Sequence, residues 1–299
     1  MKRILLSLAA ALCMCASAAA QTVAPFKDGD RAVFLGNSIT DGGHYHSYIW
    51  LYYMTRFPYM DIRVMNAGIG GETAGQMYKR LDGDVFSKRP TVLTVTFGMN
   101  DTGYFEYNGD DAEAFGQKKY QECYDNFKKM EQRLQTVDGI RVVMLGGSPY
   151  DETAQIENNT PLRGKNAVMD RVVAFQKESA AANGWEFVDF SAPMAEIGQR
   201  IQAEQPSFTL SMGDRIHPDN DGHMAMAYLY LKAQGFAGKE VADVQIDAAK
   251  AKVLKAGNCE ITGLRRNGRE ISFDYLAEAL PYLPIHICLL YTSDAADDL

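Results

Sequence analysis

Between residues 31 and 235, short apolar runs alternate with longer stretches in which apolar side chains recur at helical spacing. The runs at 31–36, 62–66, 91–97, 140–145 and 185–190 end in turn-forming residues, and each predicts a buried β-strand. The third is β-branched through Thr91, Val92, Thr94, Val95 and Thr96, which favours the pleated conformation. Helical periodicity covers 45–57 (stopped by Pro58), 114–134, 166–182, 194–205 and 223–234, and Thr73 can cap a further helix running to residue 81. Residues 150–162 and 208–217 read as polar loops. Strand and helix in alternation predict an α/β fold: a five-stranded parallel sheet covered on both faces. Ligands of such sheets bind beyond the carboxyl ends of the strands. Ser38, Gly71 and Asn100 each follow a different predicted strand at that end, so residues distant in sequence can meet in space.

The pattern changes after residue 240. Residues 244–254 read as a helix or a linker. Residues 260–264 and 270–275 flank Arg265-Arg266-Asn267-Gly268-Arg269, which reads as a β-hairpin with an Asn-Gly turn. Two strands alone are marginal, so 241–285 reads as a linker and the start of a truncated accessory β-module. Residues 286–299 match nothing before them and read as a non-native tail, resembling translated sequencing-adapter read-through. At the other end, Lys2-Arg3, an apolar core from Ile4 to Leu12 and Ala18-Ala19-Ala20 before Gln21 have the layout of a secretory signal peptide, 1–20. Its apolar stretch is shorter than the ~20 residues that span a bilayer. Bulky Leu12 and Met14 before Cys13 and Cys15 speak against lipidation. The expectation is an exported protein, periplasmic or secreted, with no stable membrane insertion after cleavage and a main domain over 21–240.

The chain of 299 residues, 46% hydrophobic and 23% charged, has ordinary globular composition. A net charge of −8 argues against a nucleic-acid partner. Cys123, Cys259 and Cys288 have neither disulfide-framework nor zinc-ligand spacing, and Cys123 falls in a helical pattern where it reads as packed. The sequence assigns no oligomeric state.

The chemistry gathers around Ala32-Val33-Phe34-Leu35-Gly36-Asn37-Ser38-Ile39-Thr40-Asp41-Gly42-Gly43, a buried strand delivering a serine to the sheet edge. An alkyl hydroxyl is a poor nucleophile at neutral pH, so Ser38 needs a base, an orienter for the base and donors for an oxyanion. His217 in Gly213-Asp214-Arg215-Ile216-His217-Pro218 is the candidate base. Asp214, three residues earlier, can hold the far imidazole nitrogen, although the same segment also reads as an exposed turn. Gly68-Ile69-Gly70-Gly71 can offer an unobstructed N–H at Gly71, Asn100 a side-chain amide and Ser38 its own N–H. The glycines read equally as a tight turn, and Asn100-Asp101 as a cap or turn. A dinucleotide loop is excluded because position 73 is Thr, and the Gly-x-Ser-x-Gly elbow because position 40 is Thr.

Gly36-Asn37-Ser38-Ile39-Thr40-Asp41-Gly42, Asn66-Ala67-Gly68-Ile69-Gly70-Gly71, Gly98-Met99-Asn100-Asp101 and Asp214-Arg215-Ile216-His217-Pro218 together resemble the four ordered blocks of the SGNH (GDSL-type) hydrolases. The resemblance spans about residues 30–235. It implies a three-layer α/β/α, flavodoxin-like domain. It also implies a catalytic set of Ser38, Asp214 and His217, with an oxyanion hole from Ser38, Gly71 and Asn100. Asn37 stands where the family usually has Asp, keeping hydrogen-bonding capacity without the charge.

No cofactor is called for, and no metal: His44 and His46 lack a third ligand and read as cleft or surface residues. Tyr45, Tyr48, Tyr52, Tyr53 and Trp50 read as core aromatics before sugar-stacking ones. His223 is expected on the closing helix without a catalytic role. Asp41 is expected to cap a turn, and Glu72 to be solvated. The functional expectation is an exported serine esterase acting on short-chain acyl esters, acetyl foremost, on a small-molecule or polysaccharide substrate, with carbohydrate as the favoured alcohol. Two alternatives remain: a lipase, lysophospholipase or thioesterase of the same fold, and a noncatalytic carbohydrate-binding protein.

Overall fold

The computed structural model describes residues 22–281. The signal-peptide expectation for 1–20, Cys288 and the tail 286–299 lie outside the described residues. In chain order the sheet domain runs β1 (Arg31–Gly36), a single turn α1 (Ser38–Asp41), α2 (His44–Arg56), β2 (Arg63–Gly68), α3 (Ala74–Arg80), β3 (Val92–Val95), α4 (Ala112–Gln135), β4 (Arg141–Gly146), α5 (Lys165–Asn183), β5 (Glu186–Asp189), α6 (Ser191–Gln202) and α7 (Asn220–Ala233). The five strands pair in parallel in the order β2-β1-β3-β4-β5. This is the predicted sheet.

Alternation along the strands divides the core between two faces. Ala32, Phe34, Val143 and Leu145 pack with Tyr45, Tyr48, Ile49 and Tyr53 of α2 and with Met226, Ala227 and Tyr230 of α7. Val33, Leu35, Leu93, Val95, Val142 and Met144 pack on the other face with Met77 of α3, Cys123, Phe127 and Met130 of α4 and Phe175 of α5. Both faces are dry, which is why the strands read as continuous apolar runs. Tyr45, Tyr48 and Tyr53 are core residues, at most 1% exposed. α6 begins three residues earlier than the periodicity predicts, because Pro193 falls in its first turn, where a missing N–H breaks no helical bond.

The expectation for 244–254 is corrected. Those residues belong to an antiparallel pair, β6 (Asp243–Asp247) and β7 (Lys252–Gly257). The Ala- and Lys-rich stretch between them is a turn, because Asp247 Oδ1 accepts from the N–H groups of Ala249 and Lys250 and Ala251 takes φ +47°. A second pair follows, β8 (Cys259–Asn267) and β9 (Glu270–Ala277). Its turn sits one residue later than the Asn-Gly reading: Asn267 pairs with Glu270, and Gly268 at φ +61° opens the two-residue loop. Among the described residues no helix is long and apolar enough to cross a membrane. Cys123 and Cys259 are free and buried.

Candidate active site

The carboxyl ends of β2, β1 and β3 lie side by side, so the segments carrying Gly71, Ser38 and Asn100 are neighbours with Ser38 in the middle. At the end of β1 the chain turns at once into α1. A Cβ on Gly36 would stand 2.1 Å from Thr40 Oγ1, so this tight reversal excludes any larger residue. Asn37, 3% exposed, caps α1 by accepting from the Ile39 N–H at 3.0 Å. That role needs a side-chain oxygen and no charge, and the Asn accordingly serves where the family usually has Asp.

The hydroxyl of Ser38 lies 2.8 Å from His217 Nε2, across 179 residues of sequence. On the far side of the ring, His217 Nδ1 lies 2.6 Å from Asp214 Oδ2. A proton on Nδ1 satisfies the carboxylate and leaves Nε2 free to accept from the serine. Asp214 Oδ1 also accepts from the N–H groups of Ile216 and His217. Partial burial pushes the Asp214 carboxyl up, but the His217 bond and the two backbone donors outweigh it and hold it below the usual carboxylate range. These three side chains therefore form a hydroxyl–imidazole–carboxylate chain that can move one proton off Ser38.

A latch absent from the sequence reading holds this loop. Arg215, between Asp214 and His217, takes φ +66° and turns inward until only 1% is exposed. Its guanidinium donates to Asp151 O, Ala154 O, Asn159 Oδ1 and Asn159 O at 2.6–3.1 Å. The Asp151 N–H in return donates to Arg215 O at 3.1 Å.

Gly71 adopts φ +78°, with open space where a side chain would stand. Glu72 is corrected: it is not solvated. Its carboxylate, 12% exposed, pairs with Arg80 Nε at 2.7 Å. Arg80 also donates to Ala67 O at 2.7 Å and Asp84 Oδ2 at 2.6 Å, tying α3 to the end of β2. Asn100 Nδ2 donates to Glu72 O at 2.9 Å, which joins the Gly71 turn to the segment after β3 and leaves the second amide proton uncommitted by this contact. Buried Asp101 accepts from the N–H groups of Ala74 and Gly98, and burial pushes its carboxyl up. Asp41 does more than cap a turn: its Oδ2 accepts from the Gly70 N–H and its carbonyl from Asn66 Nδ2.

The cleft-or-surface expectation for His46 is also revised, whereas His223 lies on the closing helix as expected. His44 and His46 start α2, and His46, 5% exposed, donates through Nε2 to Thr40 O at 3.2 Å. Burial pushes its imidazole down to about 4. His223 on α7 lies parallel to Tyr45 and 4.9 Å from the His44 ring; burial, then the neighbouring histidines, push it down to about 3. Among the described residues no group of three His, Cys, Asp or Glu side chains could hold a metal ion.

Comparison with known proteins bears on the family and the fold. The sequence model of the GDSL-like lipase/acylhydrolase family matches residues 34–225. An acetylxylan esterase of Geobacillus stearothermophilus is 26% identical over 225 residues, covering 70% of this chain and 95% of that protein. The solved structure of a gut microbial diltiazem-metabolizing enzyme is 65% identical with a TM-score of 0.86 over 88% of this chain; the present chain spans 59% of its length. A crystal structure of an acetylxylan esterase from Geobacillus stearothermophilus, 22% identical with a TM-score of 0.56 over 72% of this chain, shares the fold.

Proposed function

This chain belongs to the GDSL-like lipase/acylhydrolase family and is a carboxylic ester hydrolase, and from that premise we propose that it is an exported serine esterase removing short acyl groups, acetyl foremost, from carbohydrate. The observation that carries the proposal is the unbroken run from Ser38 Oγ through His217 to Asp214. In the proposed cycle Ser38 Oγ attacks the ester carbonyl carbon while His217 Nε2 takes its proton. The carbonyl oxygen becomes an oxyanion held by the N–H groups of Ser38 and Gly71 and the Asn100 amide, each such donor being worth ~2.7–4 kcal/mol of barrier. Collapse breaks the bond to the alcohol, which leaves with the proton from His217. Water, activated by the same imidazole, then attacks the acyl-enzyme and releases the acid.

The acetylxylan esterase relative supports the acetyl and carbohydrate parts. The diltiazem-metabolizing relative adds a small drug to the substrates worth testing. Export rests on the charge and apolar layout of residues 2–20. The test is a panel of p-nitrophenyl acetate, butyrate and palmitate, acetylated xylo-oligosaccharides and diltiazem, with wild type and Ser38→Ala. Turnover falling with acyl length, and lost by about 10⁴-fold or more in Ser38→Ala, is expected. Preference for palmitate would replace the proposal with a lipase. No turnover of any ester on the panel would overturn the proposed substrate class.

A further inference from the structure

Lys165, the first residue of α5, is completely buried. Its ammonium donates to Met99 O at 2.7 Å, Thr102 Oγ1 at 2.6 Å and Gly103 O at 2.6 Å, which uses all three of its protons. Among the described residues no carboxylate lies within ion-pair distance of it. Burying an ammonium on neutral oxygens is expensive: desolvation pushes Lys165 down to about 7 against the pull of Asp101 and Glu152, and a methionine of similar length would fill the same space without that cost. What the charge gains is control over one segment, residues 99–104, and the face of one ring: Nζ stands 4.2 Å from the centroid of Tyr104.

Tyr104 in turn donates its hydroxyl to Asn100 Oδ1 at 2.5 Å. Burial, then Asp101 and Asp214, push the phenol up to about 12, so it remains a donor at neutral pH. Glu72 O can only accept and so fixes which end of the Asn100 amide is the nitrogen, while the tyrosine hydroxyl holds the oxygen end and the plane of the amide in place. With Oδ1 on Tyr104, Nδ2 gives one proton to Glu72 O and keeps one to offer elsewhere. Flipped, the amide would set its oxygen against the Glu72 carbonyl.

We propose that Lys165 and Tyr104 are positioning residues for the Asn100 amide: the ammonium locks residues 99–104 and the tyrosine ring, and the tyrosine hydroxyl orients the amide so that its remaining N–H meets the oxyanion. The inference rests on Asn100 being an oxyanion donor, as proposed above. Neither residue touches the reacting atoms. Both act in the transition state through Asn100, so their loss lowers kcat and leaves KM in place.

The experiment measures kcat and KM on p-nitrophenyl acetate for Tyr104→Phe, Lys165→Met, Asn100→Ala and the double variant Tyr104→Phe/Asn100→Ala, with a thermal melt of each. Tyr104→Phe keeps the ring under the ammonium, so the test survives if Lys165→Met fails to fold. Expected are a loss in kcat of about 100-fold or more for Asn100→Ala and about tenfold for Tyr104→Phe at unchanged KM. No further loss is expected when Tyr104→Phe is added to Asn100→Ala. Wild-type kcat in Tyr104→Phe beside a crippled Asn100→Ala would overturn the relay alone, as would losses that multiply in the double variant. Wild-type kcat in Asn100→Ala would overturn the oxyanion assignment and the relay with it.

Discussion

Replacing Gly68 with alanine tests whether the position of Ser38, the proposed nucleophile, depends on the neighbouring strand. Gly68 closes β2 opposite Gly36 of β1. A Cβ there would lie 2.2 Å from Asp41 N and 2.7 Å from both Asp41 Cα and Thr40 C. The shortfall from ordinary van der Waals contact exceeds an ångström, and the obstacle is backbone, which cannot rotate aside. That backbone is α1, the single turn that begins with Ser38. The turn has to move by about the amount of the overlap, enough to break a 2.8 Å contact between Ser38 and His217. Misplacement of ~1 Å at a reacting group can lower the rate ~10²-fold, and the overpacking itself costs ~1–3 kcal/mol. We therefore expect Gly68→Ala to lose about 100-fold in kcat/KM on p-nitrophenyl acetate, with a lowered Tm.

Gly139→Ala is the control. Gly139 has φ +76° and nothing within 4 Å of a new Cβ, and it lies in the turn between α4 and β4, at the opposite edge of the sheet from Ser38. Backbone strain of ~1–2 kcal/mol lowers its Tm without pressing on α1. The comparison separates a general loss of stability from displacement of the serine. Gly68→Ala with kcat/KM within twofold of wild type would refute the reasoning.

Arg215→Met removes the donor from four acceptors in residues 151–159 at once. One stranded buried acceptor costs ~1–3 kcal/mol, so differential scanning calorimetry should show a destabilisation of roughly 3 kcal/mol or more. Because the lost latch frees Asp214 and His217, kcat should fall at least about tenfold; full activity would mean that the loop holds itself. The buried histidines predict an acid-sensitive fold. His46 and His223 are neutral down to about 4 and about 3, whereas in the unfolded chain they take up protons near 6.5. From pH 6.5 down to 4 the unfolded state therefore binds more protons, and stability falls by a few kcal/mol as pH falls. His46→Gln keeps a donor for Thr40 O and removes one of these titrations, so the slope of Tm against pH over that window should flatten. An unchanged slope would show that His46 titrates alike in both states.

The sheet and the catalytic candidates were legible because their signals are local. Doubly buried strands write themselves as unbroken apolar runs, and Asp214 and His217 stand three residues apart in one turn. Ser38 and His217 meet because α7 packs beside α2 on the Phe34 face of the sheet, which carries the segment before α7 to the end of β1. The misreadings have the opposite character. Residues 244–254 carry Ala and Lys at helical density, and one side-chain oxygen of Asp247 turns them into a hairpin. Glu72 looks solvated until Arg80, eight residues on, folds back to it. Nothing in the sequence singles out Arg215 or Lys165, because their acceptors lie 56–64 and 62–66 residues away and are mostly carbonyls that any sequence possesses.

Those illegible contacts share a direction. Asp41 ties the Ser38 turn to Gly70, and the Glu72 carbonyl ties the Gly71 turn to Asn100. Tyr104 and Lys165 tie Asn100 and its flanks to α5, and Arg215 ties the His217 loop to residues 151–159. Each segment at the carboxyl edge of the sheet is thus held by polar groups from another segment rather than by its own backbone alone. Loops fixed only by local turns would relax independently on the nanosecond scale. Loops cross-linked in this way, most firmly through the buried Arg215 and Lys165 side chains, move together, since opening one strands donors or acceptors in another. Such coupling is what a preorganised oxyanion site requires, for its donors stabilise charge only if they need not reorganise as that charge appears.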